Sequence, residues 1–212
     1  MKRTLFVNIT IYAMAAAGLI LVVFPVRWFP SFYDVRYMGW VGLIEAVLIG
    51  LLPLSMLVPD SAPGADKKNN AARSFQFLLA FTFLGNALGD LGLYQLYKVG
   101  FQFDKLLHFC IPFLLVAVFT IILQDRFKVR RSYAIFFAFV LALACGVGWE
   151  VFEFVADHIA NTHISGLYGF DVLNDTKWDL TFDVFGSACG ALASVFMPNA
   201  VRKTVTKVSG RK

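Results

Sequence analysis

Six apolar runs of about 20 residues constrain the fold of this 212-residue chain more than any other feature. An α-helix rises 1.5 Å per residue, so a run of this length crosses about 30 Å of hydrocarbon. The runs cover approximately residues 5–25, 39–58, 74–97, 106–124, 133–156 and 179–197. With 58% hydrophobic and 16% charged residues, the composition excludes a disordered segment, a nucleic-acid-binding module and an ordinary soluble domain. We expect an all-α polytopic membrane protein, a bundle of about six transmembrane helices that forms a single integral membrane domain over residues 1–212.

The positive charges predict the orientation of these helices. Fourteen of the 19 Lys and Arg residues lie before the first run, within residues 59–73 and 125–132, or after residue 197. By the positive-inside rule these segments and both termini are cytoplasmic. The predicted extracytoplasmic loops are residues 26–38, 98–105 and 157–178. The protein is therefore expected to contact membrane lipids and no nucleic acid, and the sequence leaves its oligomeric state open.

Ionisable residues cluster near one side of this predicted membrane domain. Within hydrocarbon they are costly unless they are paired, hydrated or bound to a metal. Most fall in the extracytoplasmic half: Glu45, Asp90, Asp104, His108, Glu150, Glu153, Asp157, Asp175, Asp179 and Asp183. Residues three or four apart share a helix face, and at a rise of 1.5 Å per residue the acidic faces of antiparallel helices reach similar depths, so we expect two tiers. The inner tier is Asp90, His108, Glu150 and Asp183. The outer tier is Asp104, Glu153, Asp157 and Asp179.

So many carboxylates cannot all be ionised together in a low-dielectric site without cations, so either a metal is bound or protons are held. Oxygen ligands with one imidazole suit Mg²⁺, Mn²⁺ or Ca²⁺. The candidate metal ligands are Asp90, Asp104, Glu150, Glu153, Asp179 and Asp183. The candidate catalytic residues are His108, as general acid or base, with Glu150 and Asp183. Lys105 is the candidate contact for a substrate anion.

Several of these residues also have structural explanations. Asp104 has the position of a helix N-cap, and Asp175 and Asp179 have the positions of a cap and a first-turn carboxylate. Lys105 has the position of a snorkelling interface residue. No capping role explains the carboxylates of Glu150, Glu153 and Asp183.

Three ordered motifs resemble a known family. They are D-K-L-L-H-F at residues 104–109, W-E-x-x-E-F at residues 149–154 and D-T-x-x-D-x-x-x-D-x-x-G at residues 175–186. Over approximately residues 98–192 the chain resembles bacterial inner-membrane proteins of the YjdF type and, more remotely, VanZ-like proteins associated with glycopeptide (teicoplanin) resistance. The resemblance implies a multi-pass protein of the bacterial cytoplasmic (inner) membrane and does not imply a reaction. Phe185 stands where the VanZ-like pattern has an Asn, which counts against a drug-resistance function.

Three functions remain open at this point. The first is a metal-assisted hydrolase or transferase acting on a lipid or envelope precursor, although no G-x-S-x-G, H-E-x-x-H or phosphate-binding glycine loop is present. The second is a proton- or cation-coupled carrier, although the cytoplasmic half has few polar residues and no inverted repeat is visible. The third is a non-catalytic protein that binds a membrane lipid or a drug. Residues 166–170 form either a cover over the acidic residues or an ordinary connecting loop.

Overall fold

The computed structural model of the chain describes residues 5–29, 32, 34–59, 61–160 and 171–196. Within these ranges the secondary structure is entirely helical, which confirms the predicted all-α membrane fold. The α-helices are α1 Leu5–Val23, α2 Val35–Leu51, α3 Ala65–Asp90, α4 Phe103–Asp125, α5 Arg131–Ala160 and α6 Val172–Phe196. The 3₁₀ segments are Val26–Trp28, Leu52–Met56 and Leu93–Val99. The predicted cover at residues 166–170 and the basic segment after residue 197 lie outside the described residues.

Five helical segments of the described chain are each long and apolar enough to cross a membrane: α1, α2 with its 3₁₀ extension, α4, α5 and α6. The third predicted run, residues 74–97, is instead divided. Helix α3 ends at Asp90 and is bent by 56° from the 3₁₀ segment Leu93–Val99. Gly92 lies at the break with a φ of 130°, a conformation that residues with a Cβ rarely adopt. The described chain therefore has five candidate spans, or six if the bent pair forms one span.

Helix α3 also begins earlier than its apolar run, because buried polar side chains stabilise its first turns. The Asn69 side chain accepts a hydrogen bond from the Val58 amide (3.0 Å) and donates one to the Val58 carbonyl (3.2 Å). The Gln76 amide donates to the Ile49 carbonyl at 3.0 Å. These contacts provide hydrogen-bond partners for backbone groups near the end of the preceding helical segment. Lipid hydrocarbon cannot provide such partners.

The helices pack in sequence order, with α4 in contact with α3, α5 and α6. One core joins α1, α2 and α3 through Val7, Ile49 and Ala80. Further cores join α3 to α4 and α4 to α5. Large apolar side chains of α5, including Phe136 and Phe154, remain exposed, as expected of a surface that faces lipid.

Two glycines bring α6 close to α4. A Cβ at Gly186 would overlap the Phe109 carbonyl oxygen, and a Cβ at Gly190 would lie 2.7 Å from the Phe113 carbonyl oxygen. This small-xxx-small spacing lets the two helix backbones touch directly. It therefore holds the acidic face of α6 opposite the start of α4.

Candidate functional site

Seven ionisable side chains from three helices meet at one end of the bundle. We name them the acid–histidine cluster: Asp104, Lys105 and His108 of α4, Glu150 of α5, and Asp175, Asp179 and Asp183 of α6. The one-turn spacing within each helix puts its members on a single face, as the sequence predicts. The cluster contains five carboxylates, one ammonium and one imidazole. With every carboxylate ionised and the imidazole protonated, its formal charge would still be negative, so full ionisation requires a cation.

Lys105 lies among the carboxylates. Its Nζ lies 3.1 Å from Asp104 Oδ2, 2.5 Å from Asp175 Oδ1 and 2.7 Å from Asp179 Oδ1. The lysine is buried, with 7% of its surface exposed. The sequence suggested Lys105 as the contact for a substrate anion. In the structure its ammonium already has three carboxylate partners from two helices.

The His108 ring is oriented by α6. Its Nδ1 lies 3.1 Å from Asp183 Oδ1, and an ionised Asp183 carboxylate would accept this hydrogen bond from Nδ1. Its Nε2 lies 3.6 Å from Asp179 Oδ1, 3.7 Å from Asp104 Oδ1 and 3.9 Å from Glu150 Oε1. These three separations exceed hydrogen-bond length. The second ring nitrogen therefore faces a space bordered by three carboxylates.

The spacing around His108 Nε2 suits a bound cation. Two ligand atoms that each lie about 2.0–2.4 Å from one ion are themselves about 3–4 Å apart. Asp104, His108 and Asp179 can each offer one ligand atom, with all three atoms within 4.8 Å of one another. Two of the six predicted metal ligands, Asp104 and Asp179, therefore lie in this compact set.

Two buried carboxylate oxygens of the cluster have no hydrogen-bond partner among the described residues. They are Glu150 Oε1 and Asp183 Oδ2. Glu150 is 8% exposed and Asp183 is 3% exposed. A buried carboxylate oxygen without a partner is costly, so a proton, a water or a cation must satisfy it.

The Asp183 carboxylate occupies a space that α5 leaves open. A Cβ at Gly146 would collide with the Asp183 carboxyl group. The structure shows that this glycine makes room for the side chain that orients His108.

The remaining predicted residues lie at the edge of the cluster or elsewhere. Glu153, one turn beyond Glu150, is half-buried and is an electrostatic neighbour of Glu150 and Asp104. Asp90 is instead an electrostatic neighbour of Glu45 of α2. No ion pair or hydrogen bond between described residues joins Asp90 to His108. Of the predicted inner tier, the structure thus brings together His108, Glu150 and Asp183.

The capping alternatives are settled by the helix starts. Helix α4 begins at Phe103 with Gln102 at the N-cap, so Asp104 is not the cap and its carboxylate instead reaches Lys105. At α6 the capping side chain is Asp171, whose Oδ1 accepts the Asn174 amide at 3.3 Å. Asp175 is therefore free to pair with Lys105. Asp171 continues the four-residue spacing of the α6 acids, a signal that was present in the sequence.

A cleft of about 400 Å³ borders the cluster. Its walls come from Asp171, Asn174, Trp178 and Phe182 on one side and from Gln102 on the other. Lys105 and Asp175 belong both to this cleft and to the cluster. The cleft therefore connects the cluster with the surface at the start of α6. Sequence reasoning did not predict it, because its walls come from segments far apart in the chain.

Comparison with known proteins places the chain in a family. No solved structure matches it. An uncharacterized protein of Thermotoga maritima is 33% identical over 128 residues, a match that covers 58% of this chain and 61% of that protein. The chain thus spans about three fifths of the length of this curated relative. Neither match carries a YjdF-type or VanZ-like description, so that resemblance stays a prediction. Because residues 9–200 match the family described as "Predicted membrane protein (DUF2238)", the chain belongs to this family of predicted membrane proteins.

Proposed function

We propose that this protein is a divalent-cation-dependent enzyme of the bacterial inner membrane, a hydrolase or transferase acting on a lipid or envelope precursor at the extracytoplasmic surface. One observation carries the proposal. His108 Nε2 faces three carboxylate oxygens at 3.6–3.9 Å while Asp183 holds the opposite ring nitrogen. A metal-bound histidine typically has this arrangement, with its second nitrogen bonded to a carboxylate.

Asp104, His108 and Asp179 are the proposed ligands of the cation. Mg²⁺, Mn²⁺ or Ca²⁺ suits a set with more carboxylates than imidazoles. Lys105 bonds to both Asp104 and Asp179, so it restricts the orientation of the two carboxylates and offsets part of their charge. Three protein ligands leave positions for water and substrate, as catalytic metal sites require. Asp90 and Glu153, which the sequence also suggested, lie outside this set.

Glu150 is the proposed general base. Its Oε1 has no hydrogen-bond partner among the described residues and lies 3.9 Å from His108 Nε2, next to the proposed cation position. A cation at this position would polarise a phosphoryl or carbonyl oxygen and activate a bound water. Glu150 would accept the proton of that water, and Asp183 would keep the imidazole in the tautomer that exposes Nε2.

One observation favours a second candidate, a proton or cation carrier. Below Asp183, the same face of α6 continues with Ser187 and Ser194, which are buried and whose hydroxyl groups have no partner among the described residues. Between them, however, Gly190 lies against the α4 backbone, which leaves little space for water or an ion. The geometry therefore supports the enzyme better than the carrier.

The test combines metal analysis with turnover. We expect purified wild-type protein, equilibrated with Mn²⁺ or Mg²⁺ and desalted, to retain the cation. Asp179→Asn and His108→Asn should lose it, whereas the control Glu45→Gln changes a membrane carboxylate outside the cluster and should keep it. Glu150→Gln should keep the cation and lose conversion of radiolabelled total bacterial membrane lipid, followed by chromatography.

Two outcomes would contradict this assignment. If Asp179→Asn retains as much cation as wild type, the proposed site does not exist. If wild type binds the cation, converts no lipid and instead carries Mn²⁺ or protons across liposomes, the carrier replaces the enzyme.

A further inference from the structure

We propose that the cleft at the start of α6 binds the uncharged, hydroxyl-rich headgroup of a membrane lipid, a saccharide linked to a hydrophobic chain. This inference rests on the proposed function in one respect, because it identifies the class of lipid that the proposed enzyme would convert. The binding itself is argued from the cleft alone.

The charged groups of the cleft already have partners. Lys105 is bonded to three carboxylates, and Asp175 is one of them. Asp171 caps α6 through the Asn174 amide. An anionic headgroup would therefore meet no uncommitted cation among the described residues of the cleft. A phosphate is a poor fit to this part of the site.

What the cleft does offer is amides and aromatic rings. The Gln102 and Asn174 side chains each carry donors and an acceptor, which matches a hydroxyl group that both donates and accepts. Trp178, which is 53% exposed, lines the same cleft. An aromatic surface flanked by a few polar groups suits a ring that is apolar on its faces and polar at its edge. A sugar has this character.

The aromatic wall also indicates that the ligand is a lipid. Phe182 follows Trp178 by one helical turn, and the two ring centroids are 6.4 Å apart. Trp side chains favour the membrane interface, so the wall leads from the interface along α6 into the hydrocarbon. A cleft of about 400 Å³ is small among ligand sites and suits a headgroup, with the chain left in the bilayer.

The cleft lies next to the acid–histidine cluster, so a headgroup bound in the cleft would lie near the site of the proposed reaction. Lys105 lines the cleft and donates hydrogen bonds to two proposed cation ligands, Asp104 and Asp179. Asp175, which also lines the cleft, is bonded to Lys105. A saccharide in the cleft would lie against Lys105 and Asp175, and therefore next to the proposed cation site. The inferred substrate is thus a glycosylated lipid.

A binding experiment tests this inference without requiring turnover. Wild-type protein in phosphatidylcholine nanodiscs is titrated with tritiated monoglucosyl-diacylglycerol, with diacylglycerol, phosphatidylglycerol, phosphatidylethanolamine and methyl glucoside as competitors. We expect none of the competitors to displace the glucolipid at equal concentration. Trp178→Ala and Asn174→Ala should weaken binding about 5–10-fold, and Trp178→Phe should retain most of it. Trp40→Ala removes an exposed tryptophan of α2 and serves as the matched control.

Four results would overturn the inference. Three are displacement of the glucolipid by diacylglycerol, which lacks the sugar, by either phospholipid, or by methyl glucoside, which lacks the chain. The fourth is an equal loss of glucolipid affinity in Trp178→Ala and Trp40→Ala. The Asp179→Asn variant separates this inference from the proposed function. If that variant and wild type bind the glucolipid equally but wild type shows no cation and no turnover, only the enzyme proposal fails. If turnover occurs on lipids without sugar, only the cleft proposal fails.

Discussion

At the scale of single residues, Gly146 determines where the Asp183 carboxylate can lie. In Gly146→Ala the new methyl group would take the position of that carboxyl group, which must rotate away from His108. Because a residue that orients a metal-bound histidine typically contributes 10–100-fold to metal affinity, we expect cation affinity to fall by about 10-fold. Competition with a fluorescent chelator measures this.

Gly148→Ala is the matched control for Gly146→Ala. It makes the same change two residues further along α5, where a Cβ would meet no atom within 4 Å. We expect wild-type cation affinity and thermal stability for Gly148→Ala. Equal affinity losses for the two variants would show that helix propensity, and not the position of Asp183, is responsible.

Lys105 stabilises the fold through its three carboxylates. Lys105→Met removes the buried counter-ion that Asp104, Asp175 and Asp179 share. Removing one partner of a fully buried pair costs about 3–5 kcal/mol, and we expect a smaller loss here because Asp104 and Asp175 are partly exposed. We expect a lower free energy of unfolding in SDS titrations with EDTA present, and partial recovery when Mn²⁺ replaces EDTA. Lys98→Met removes an exposed lysine that donates to Gln95 and should change little. A Lys105→Met variant as stable as wild type in EDTA contradicts the role given to this lysine.

The identities of most cluster residues were predictable, since carboxylates in apolar helices need partners and the four-residue spacing puts them on one face. Their pairings were not. Lys105 adjoins Asp104 in sequence, yet the partners it finds on α6 depend on the depth at which α4 and α6 pack. Asp90 has the right depth by residue count, but no ion pair or hydrogen bond between described residues joins it to the cluster, and it is instead an electrostatic neighbour of Glu45.

At the scale of elements, the contact between α4 and α6 sets the geometry of the cluster. In Gly186→Ala the added methyl group would overlap the Phe109 carbonyl oxygen, a backbone atom that cannot rotate away. The helices must separate, at a cost of about 1–3 kcal/mol typical of overpacking. We expect a lower thermal midpoint together with weaker cation binding. Val184→Ala, which shortens an exposed side chain of the same helix, should alter neither quantity.

The end of α6 is held by α5. Arg131 donates to the Ser194 and Val195 carbonyl oxygens at 2.7 and 2.6 Å, which lack partners within their own helix. We expect Arg131→Met to lower the free energy of unfolding by about 1–3 kcal/mol, because hydrogen bonds from a charged donor are lost. Arg130→Met changes the adjacent, exposed arginine and is the control. If the two substitutions lower the free energy of unfolding equally, the positive charge in this region stabilises the fold and the hydrogen bonds of Arg131 do not.

The apolar runs were sufficient to predict the helices. They were not always sufficient to predict the first and last residue of each helix. α3 illustrates the reason, because its first turns are polar and include Asn69, whereas the predicted apolar run that contains Gln76 starts only at residue 74. In the structure Asn69 and Gln76 are both buried. Their side chains satisfy backbone groups of Val58 and Ile49, contacts that arise only after the helices pack. The bend after Asp90 depends on one glycine conformation at Gly92, which hydropathy does not report.

At the scale of the whole molecule, the side of the membrane that the cluster faces depends on whether α3 and the bent segment Leu93–Val99 cross together. If the two segments cross the membrane together, α4 starts on the side opposite the start of α3. The four Lys and Arg residues within 125–132 are then cytoplasmic. If the two segments re-enter on the same side, those four residues and the basic segment after residue 197 become extracytoplasmic. The positive-inside rule opposes that second arrangement.

Reporter fusions decide between the two arrangements. We expect a green fluorescent protein fused after Gly64 or after Phe127 to fluoresce, and an alkaline phosphatase fused after Gly100 to be active, because only the crossing arrangement alternates these three positions. Phosphatase activity at Phe127 with fluorescence at Gly100 would place the cluster in the cytoplasm. The lipid would then come from the inner leaflet and the cation from the cytoplasm. The extracytoplasmic part of the proposed function would fail in that case, even if the protein binds the cation. The fusion after Gly100 is the most informative of the three, since that glycine lies three residues before Phe103, the first residue of the helix that carries Lys105 and His108.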